Sequence, residues 1–176
     1  MYYMKILVTG GAGFIGSHLV DRLIREQHEV LIIDNLSTGR QDYINSDAQF
    51  IELDVQDQRI TTVVNDFKPA AVYHLAAQKN VRVSLNDPVV DAQTNILGSI
   101  NLIHACHKAQ VKTFVFTSTG GAIYDETEDF PVSEAGREAP LSPYGLSKLT
   151  IDNYLKYYHH IHGMQTVSLR PSNVYG

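Results

Sequence analysis

A doubly wound, parallel α/β sheet is the fold this chain predicts, and three observations carry the prediction. Short, continuous apolar runs alternate with amphipathic segments along the whole length. The first run ends in a glycine-rich turn that opens a helix, and the second ends in an aspartate. Strands covered on both faces read as unbroken apolar runs, and helical crossovers between them make the neighbours parallel. Right-handed crossovers then gather ligands at the carboxyl ends of the strands.

The elements follow in order. Ile6-Leu7-Val8 is a strand that ends at Thr9, and Phe14 to Glu26 reads as a helix with Phe14, Leu19, Leu23 and Ile24 among its apolar positions. Val30-Leu31-Ile32-Ile33 is the second strand and Phe50-Ile51-Glu52-Leu53 the third. A helix from about Gln58 to Phe67 places Ile60, Val63, Val64 and Phe67 on one side, and Pro69 closes it. Ala71 to Leu75 is the fourth strand, a long helix runs from about Pro88 to Ala109, and Phe114-Val115-Phe116 is the fifth strand. Tyr124 to Pro143 is polar and rich in proline, so it reads as a loop over the active face. A helix from about Tyr144 to His162 and a sixth strand, Thr166 to Leu169, complete the pattern.

With 176 residues the chain holds one well-packed domain. Hydrophobic residues at 44% and charged residues at 19% fit a globular protein. No apolar run is long enough for a membrane span, and the first residues lack the pattern of a secretory signal, so a cytoplasmic protein is expected. The net charge of −5 leaves no basic footprint for nucleic acid. Cys106 is the only cysteine, which excludes an internal disulfide and a cysteine metal cluster; it reads as a buried thiol.

Chemistry concentrates in two motifs. The first is Thr9-Gly10-Gly11-Ala12-Gly13-Phe14-Ile15-Gly16, between strand one and the first helix. Glycines there allow a tight turn and a close backbone approach to a pyrophosphate, and the helix amino terminus offers N–H groups to it. Asp34, ending strand two, stands where a ribose-binding acid belongs; it accepts hydrogen bonds from ribose hydroxyls and repels a 2′-phosphate, so NAD is favoured over NADP. Read without that context it is a turn aspartate. Asp54, before Val55 at the end of strand three, is a candidate partner for an adenine amino group.

The second motif is Tyr144-Gly145-Leu146-Ser147-Lys148. A spacing of four projects both side chains from one helical face. A nearby ammonium favours the phenolate, so the tyrosine pKa is expected to fall toward the working pH, where it can take a proton from a sugar hydroxyl. Lys148 can also hold ribose hydroxyls of nicotinamide. At the end of strand five, Thr117-Ser118-Thr119 offers hydroxyls to the substrate side; Thr119, or failing it Ser118, can share the proton with Tyr144. Alternatively those hydroxyls only satisfy the loop backbone.

Together these motifs resemble the extended short-chain dehydrogenase/reductase family, with its Rossmann fold, and within it the UDP-glucose (UDP-galactose) 4-epimerase type. The resemblance also rests on Asp34-Asn35-Leu36-Ser37-Thr38-Gly39, His74-Leu75-Ala76-Ala77-Gln78, Asp87-Pro88, Asn95-Ile96-Leu97-Gly98 and Arg170-Pro171-Ser172-Asn173-Val174-Tyr175-Gly176. It implies a tightly held NAD and a transient 4-keto sugar that rotates and recovers hydride on its other face. It casts Tyr144 as general base supported by Lys148 and Thr119. Gly10, Gly13, Phe14, Ile15 and Gly16 are implied to line the pyrophosphate, and Asp34, Asn35, Ser37, Thr38 and Gly39 the adenosine ribose. Asp54 and Val55 are implied to meet adenine. Leu75, Ala76, Ala77, Lys79, Asn95, Thr117 and Pro171 are implied to line the cofactor, and Asn173 to contact the phosphates of a nucleotide-sugar substrate such as a UDP-hexose.

Relatives that dehydrate or decarboxylate the sugar carry an acid just after the strand-five hydroxyl, where this chain has Gly120-Gly121, which favours epimerisation. Dehydratase, decarboxylase or reductase chemistry, or a non-catalytic NAD-binding module, are the alternatives. Two departures from the family stand out. Tyr124 is followed by Asp125 instead of glycine, and family members continue past this point into a smaller substrate-binding domain. Residues 1–176 are therefore expected to be the cofactor-binding part of a longer chain, with most of the sugar-nucleotide pocket missing.

The helix around Asp91 to His107 resembles the surface through which such enzymes form homodimers; its apolar residues fit a core-facing role equally well. His74 reads as a packed residue beside the cofactor. His159, His160 and His162 read as cations at a helix carboxyl end, and no metal is expected.

Overall fold

The computed structural model describes residues 3–125 and 131–175; Met1, Tyr2, residues 126–130 of the polar loop and Gly176 lie outside them. Strands β1 (Lys5–Thr9), β2 (Glu29–Asp34), β3 (Gln49–Glu52), β4 (Ala71–His74), β5 (Thr113–Thr117) and β6 (Gln165–Leu169) form one sheet. Its order is β3-β2-β1-β4-β5-β6 and every pairing is parallel. This is the doubly wound arrangement the alternating pattern predicts.

Alternation along β1 explains the two-sided core. Ile6 and Val8 pack with Val20 and Leu23 of helix α1 (Phe14–Arg25). Leu7, on the opposite face, joins Ile60, Val64 and Phe67 of α2 (Ile60–Phe67) and residues of two later helices. All three strand residues are almost fully buried, at roughly 25 cal/mol per Å² of apolar surface removed from water. The order reverses between β1 and β4, whose registers bring Thr9 level with His74. The loops after those two strands therefore meet at the carboxyl edge, where open α/β sheets bind ligands.

The region after β4 departs from the expected pattern. A short helix, α3 (Val81–Asn86), occupies a stretch whose alternating Val81-Arg82-Val83 carries no helical period. It is started by Asn80, whose side-chain oxygen accepts from the backbone N–H of Arg82 and Val83. The long helix expected from Pro88 is α4 (Pro88–Ala92), a π-helical stretch (Gln93–Gly98) and α5 (Ser99–Lys108) in succession. π-helical turns are rare and gather at functional sites.

Helix α6 (Pro143–His162) starts on Ser142, whose Oγ accepts from Gly145 N, and stops at Gly163 in the left-handed region. The polar loop before it is tied across its base, as Tyr124 bridges to Glu138 and Asp125 N donates to Arg137 O at 2.9 Å. The aspartate that departs from the family pattern also ion-pairs with Arg137 at 3.3 Å. Among the described residues no helix is long and apolar enough to cross a membrane.

Candidate active site

The glycine turn is built for close approach. Gly10 adopts φ +73°, and a Cβ there would lie 2.6 Å from Ala76 N in the loop after β4. A Cβ on Gly16 would sit 2.1 Å from Gly10 O, so the first turn of α1 can seat itself on the loop only as glycine. Gly13 caps α1 and brings no side chain to satisfy the first N–H groups, and the first turn carries no acid. Phe14 and Ile15 are half exposed beside it. This end of the helix thus presents unfilled donors and a partial positive charge to an anion.

Asp34 is 7% exposed and is held by the backbone on both sides. Its Oδ2 accepts from Ala12 N at 3.0 Å and its Oδ1 from Leu36 N at 2.9 Å. Each oxygen keeps a lone pair, so the oriented carboxylate can still accept from vicinal hydroxyls. Gly39 passes so close that a Cβ would meet Asp34 Oδ1 at 2.9 Å, which brings the exposed Ser37 and Thr38 alongside. Asn35 Nδ2 donates to Asp54 Oδ2 at 2.6 Å, linking the ends of β2 and β3. Val55 is buried and packs toward Gly98. A dinucleotide fits these residues: the unfilled helix terminus, the backbone-braced acid and the crowded glycines form one continuous edge.

Tyr144 and Lys148 share one face of α6, with the ammonium 5.8 Å from the phenol ring centroid. Tyr144 N donates to Ser84 Oγ at 3.2 Å, so α3, absent from the expected pattern, pins the start of α6. Lys148 is buried, and its Nζ donates to Thr117 O at 2.9 Å. Burial pulls its pKa down to about 8, against an opposing pull from Asp152 and Asp91. Thr119 hydrogen-bonds the Tyr144 side chain, which favours the phenolate.

Two expectations are corrected. The Tyr144 pKa is raised, not lowered: burial and then the Asp91 charge outweigh the Thr119 hydrogen bond, so the resting phenol keeps its proton. Ser118 does not share a proton with Tyr144. It is buried and its hydroxyl donates to Asp152 Oδ2 at 3.1 Å, so its proton is engaged elsewhere. Asn95 has its amide engaged within the protein, its Oδ1 accepting from Gln78 N and its Nδ2 donating to Gln78 O and Asp91 Oδ1. Through these bonds it shapes the loop carrying Leu75, Ala76, Ala77 and the exposed Lys79.

His74 is a packed residue, as read. Burial pushes its pKa down to about 3, so the ring is neutral. Ser99 Oγ donates to Asn95 O, so it accepts from His74 Nε2; Nδ1 then accepts from Thr9 Oγ1 at 2.6 Å. Cys106 is buried and its thiol pKa is pushed up, which makes it inert. Beyond β6, Pro171 O accepts from Gly120 N at 2.8 Å and Asn173 is exposed.

Asp91, Ser84, Ser147 and Asp152 are site residues that motif reading missed. The signal for the first was a polar stripe, Asp91, Asn95 and Ser99, four apart on one helical face.

The model of the NAD dependent epimerase/dehydratase family matches residues 6–176. The chain belongs to that family. Among its relatives is a putative UDP-glucose 4-epimerase of Methanocaldococcus jannaschii, 47% identical over 97% of this chain and 56% of that protein. Another is a UDP-glucose 4-epimerase of Mycolicibacterium smegmatis, 40% identical over 98% of this chain and 57% of that protein. Among solved structures, the Thermotoga maritima UDP-glucose 4-epimerase with UDP-glucose superimposes with a TM-score of 0.96 at 44% identity, covering 98% of this chain and 57% of that one. The Thermus thermophilus enzyme in complex with NAD gives 0.93 at 44% identity, with 98% and 56% covered. This family member therefore spans about half the length of the curated relatives it matches.

Proposed function

We propose that this chain is the NAD-binding Rossmann domain of a nucleotide-sugar epimerase of the UDP-glucose/UDP-galactose 4-epimerase type. The observation that carries the reading is the meeting, at one sheet edge, of a dinucleotide cradle and a Tyr144–Thr119–Lys148 constellation. The backbone from Gly10 to Gly16 would hold the diphosphate and Asp34 the adenosine ribose, with Asp54 toward adenine and Lys148 toward the second ribose. When bound, NAD+ supplies the hydride acceptor and a cationic ring that favours the phenolate.

The chain's own residues do the rest. Tyr144 takes and returns the proton of the sugar hydroxyl, Thr119 hydrogen-bonds that phenol, and buried Lys148 adds positive charge beside it. Gly120 and Gly121 offer no acid to protonate a departing hydroxyl, which supports epimerisation over dehydration. Asn173 would reach the substrate phosphates. A cytoplasmic setting is part of this proposal.

A homodimer is part of the proposal. Leu97 with Tyr154, Tyr157 and Ile161 of α6 are exposed large apolar residues, an arrangement suited to a second copy. Sedimentation should show a dimer that Leu97→Glu and Ile161→Glu dissociate.

The deciding assay incubates the protein with UDP-galactose and follows UDP-glucose. Tyr144→Phe should lower turnover about a thousandfold and leave NAD+ affinity within about twofold. Turnover equal to wild type removes Tyr144 as base, and tighter binding of NADP+ than NAD+ removes Asp34 as selector.

A further inference from the structure

Asp91 lies in α4, is fully buried, and takes no part in the steps described above. Burying a carboxylate is costly unless its lone pairs are filled, and here they are filled from three segments. Oδ1 accepts from Gln78 Nε2 and from Asn95 Nδ2, each at 2.9 Å, and Oδ2 accepts from Ser147 Oγ at 2.6 Å. Gln78 belongs to the loop after β4 that faces the glycine turn. Ser147 immediately precedes Lys148. All three donors are neutral, so none cancels the charge.

We propose that Asp91 is a positioning residue that clamps the loop after β4 to the Tyr144–Lys148 face of α6, holding the nucleotide seat and the proton-transfer pair in one register. The proposal rests on reading Tyr144 and Lys148 as that pair. A purely structural bridge could have been built from neutral groups; a buried carboxylate also acts on its neighbours electrostatically. It favours the ammonium of Lys148 and disfavours the phenolate of Tyr144. The other groups around Lys148 are Asp152 from its own helix and His74 from β4, which is neutral.

The test reads Lys148 directly, by NMR titration of protein labelled at lysine Cε, the resonance being assigned by its loss in Lys148→Arg. In wild type it should titrate near pH 8. Asp91→Asn, which keeps the shape and removes the charge, should raise the lysine's acid constant about tenfold. It should also weaken NAD+ binding about fivefold by calorimetry. Ser147→Ala strips a donor from the carboxylate and leaves its charge, so it should shift the titration the other way, by about twofold, while Ser147→Thr restores the wild-type value.

A folded Asp91→Asn whose Lys148 titrates within twofold of wild type overturns the proposal. If that variant does not fold, the serine pair decides: identical titrations in Ser147→Ala and Ser147→Thr overturn it equally. Wild type that takes up no NAD+ counts against the cofactor reading alone, because the lysine titration is read without any ligand.

Discussion

The two halves of the candidate site are built by different means. The nucleotide end is made of backbone: a turn that only glycine can form, a helix terminus without a side-chain cap, and an aspartate gripped by Ala12 N and Leu36 N. The proton-transfer end is made of side chains from separate parts of the chain, with Lys148 buried beside Asp91 and Asp152. The first half has no room for a Cβ at Gly10 or Gly16. The second tolerates no unbalanced charge.

That contrast can be broken at either end. Gly16→Ala drives a methyl into Gly10 O and should cost about 4 kcal/mol together with nucleotide binding; a small change in melting temperature would show that the turn can yield. At the other end, Arg170 donates to Asp152 Oδ2 from both Nε and Nη2, with the Asp152 side chain only 1% exposed. Asp152→Ala leaves that guanidinium without its buried partner and should cost about 3 kcal/mol by chemical denaturation. A loss below about 1 kcal/mol would mean that Glu138 and Tyr124, which also hold Arg170, suffice.

The pH dependence sharpens the same point. His74 is held neutral in the fold down to about 3, whereas an unfolded histidine takes its proton near 6.5. The unfolded state therefore binds more protons between those values, and His74 contributes stability that is lost as pH falls from 6.5 toward 3. Stability measured across this range should fall less steeply in His74→Asn than in wild type; equal slopes would remove the buried ring as the cause. The smallest effect belongs to Gly121→Ala, where a Cβ meets nothing within 4 Å, and stability should stay within about 0.5 kcal/mol. A larger loss there would show that the strand-five loop, too, is limited by space.

What could be read in advance follows the same division. The glycine turn, Asp34 and the strand runs were legible because each is local: a few adjacent residues imply a backbone conformation or a period. The short helix α3 was not, since Val81-Arg82-Val83 carries no helical period and only the Asn80 cap marks its start. Ser118 and Thr119 are adjacent hydroxyls just past a strand end, and nothing local says which of them Asp152 engages and which serves Tyr144. Asn95 matched a cofactor-lining position by pattern, while two of its three amide hydrogen bonds depend on Gln78, in a loop seventeen residues away.

By itself the sequence determined a parallel doubly wound sheet, a nucleotide-sized glycine turn, and a tyrosine and lysine on one helical face. Only the tertiary structure decided how those two side chains are charged and which hydroxyl serves them. The reason is distance along the chain: Ser147 meets Asp91 across 56 residues and Tyr144 meets Ser84 across 60. Burial and electric field are sums over such remote neighbours, and a protonation state follows from the sum and not from a motif.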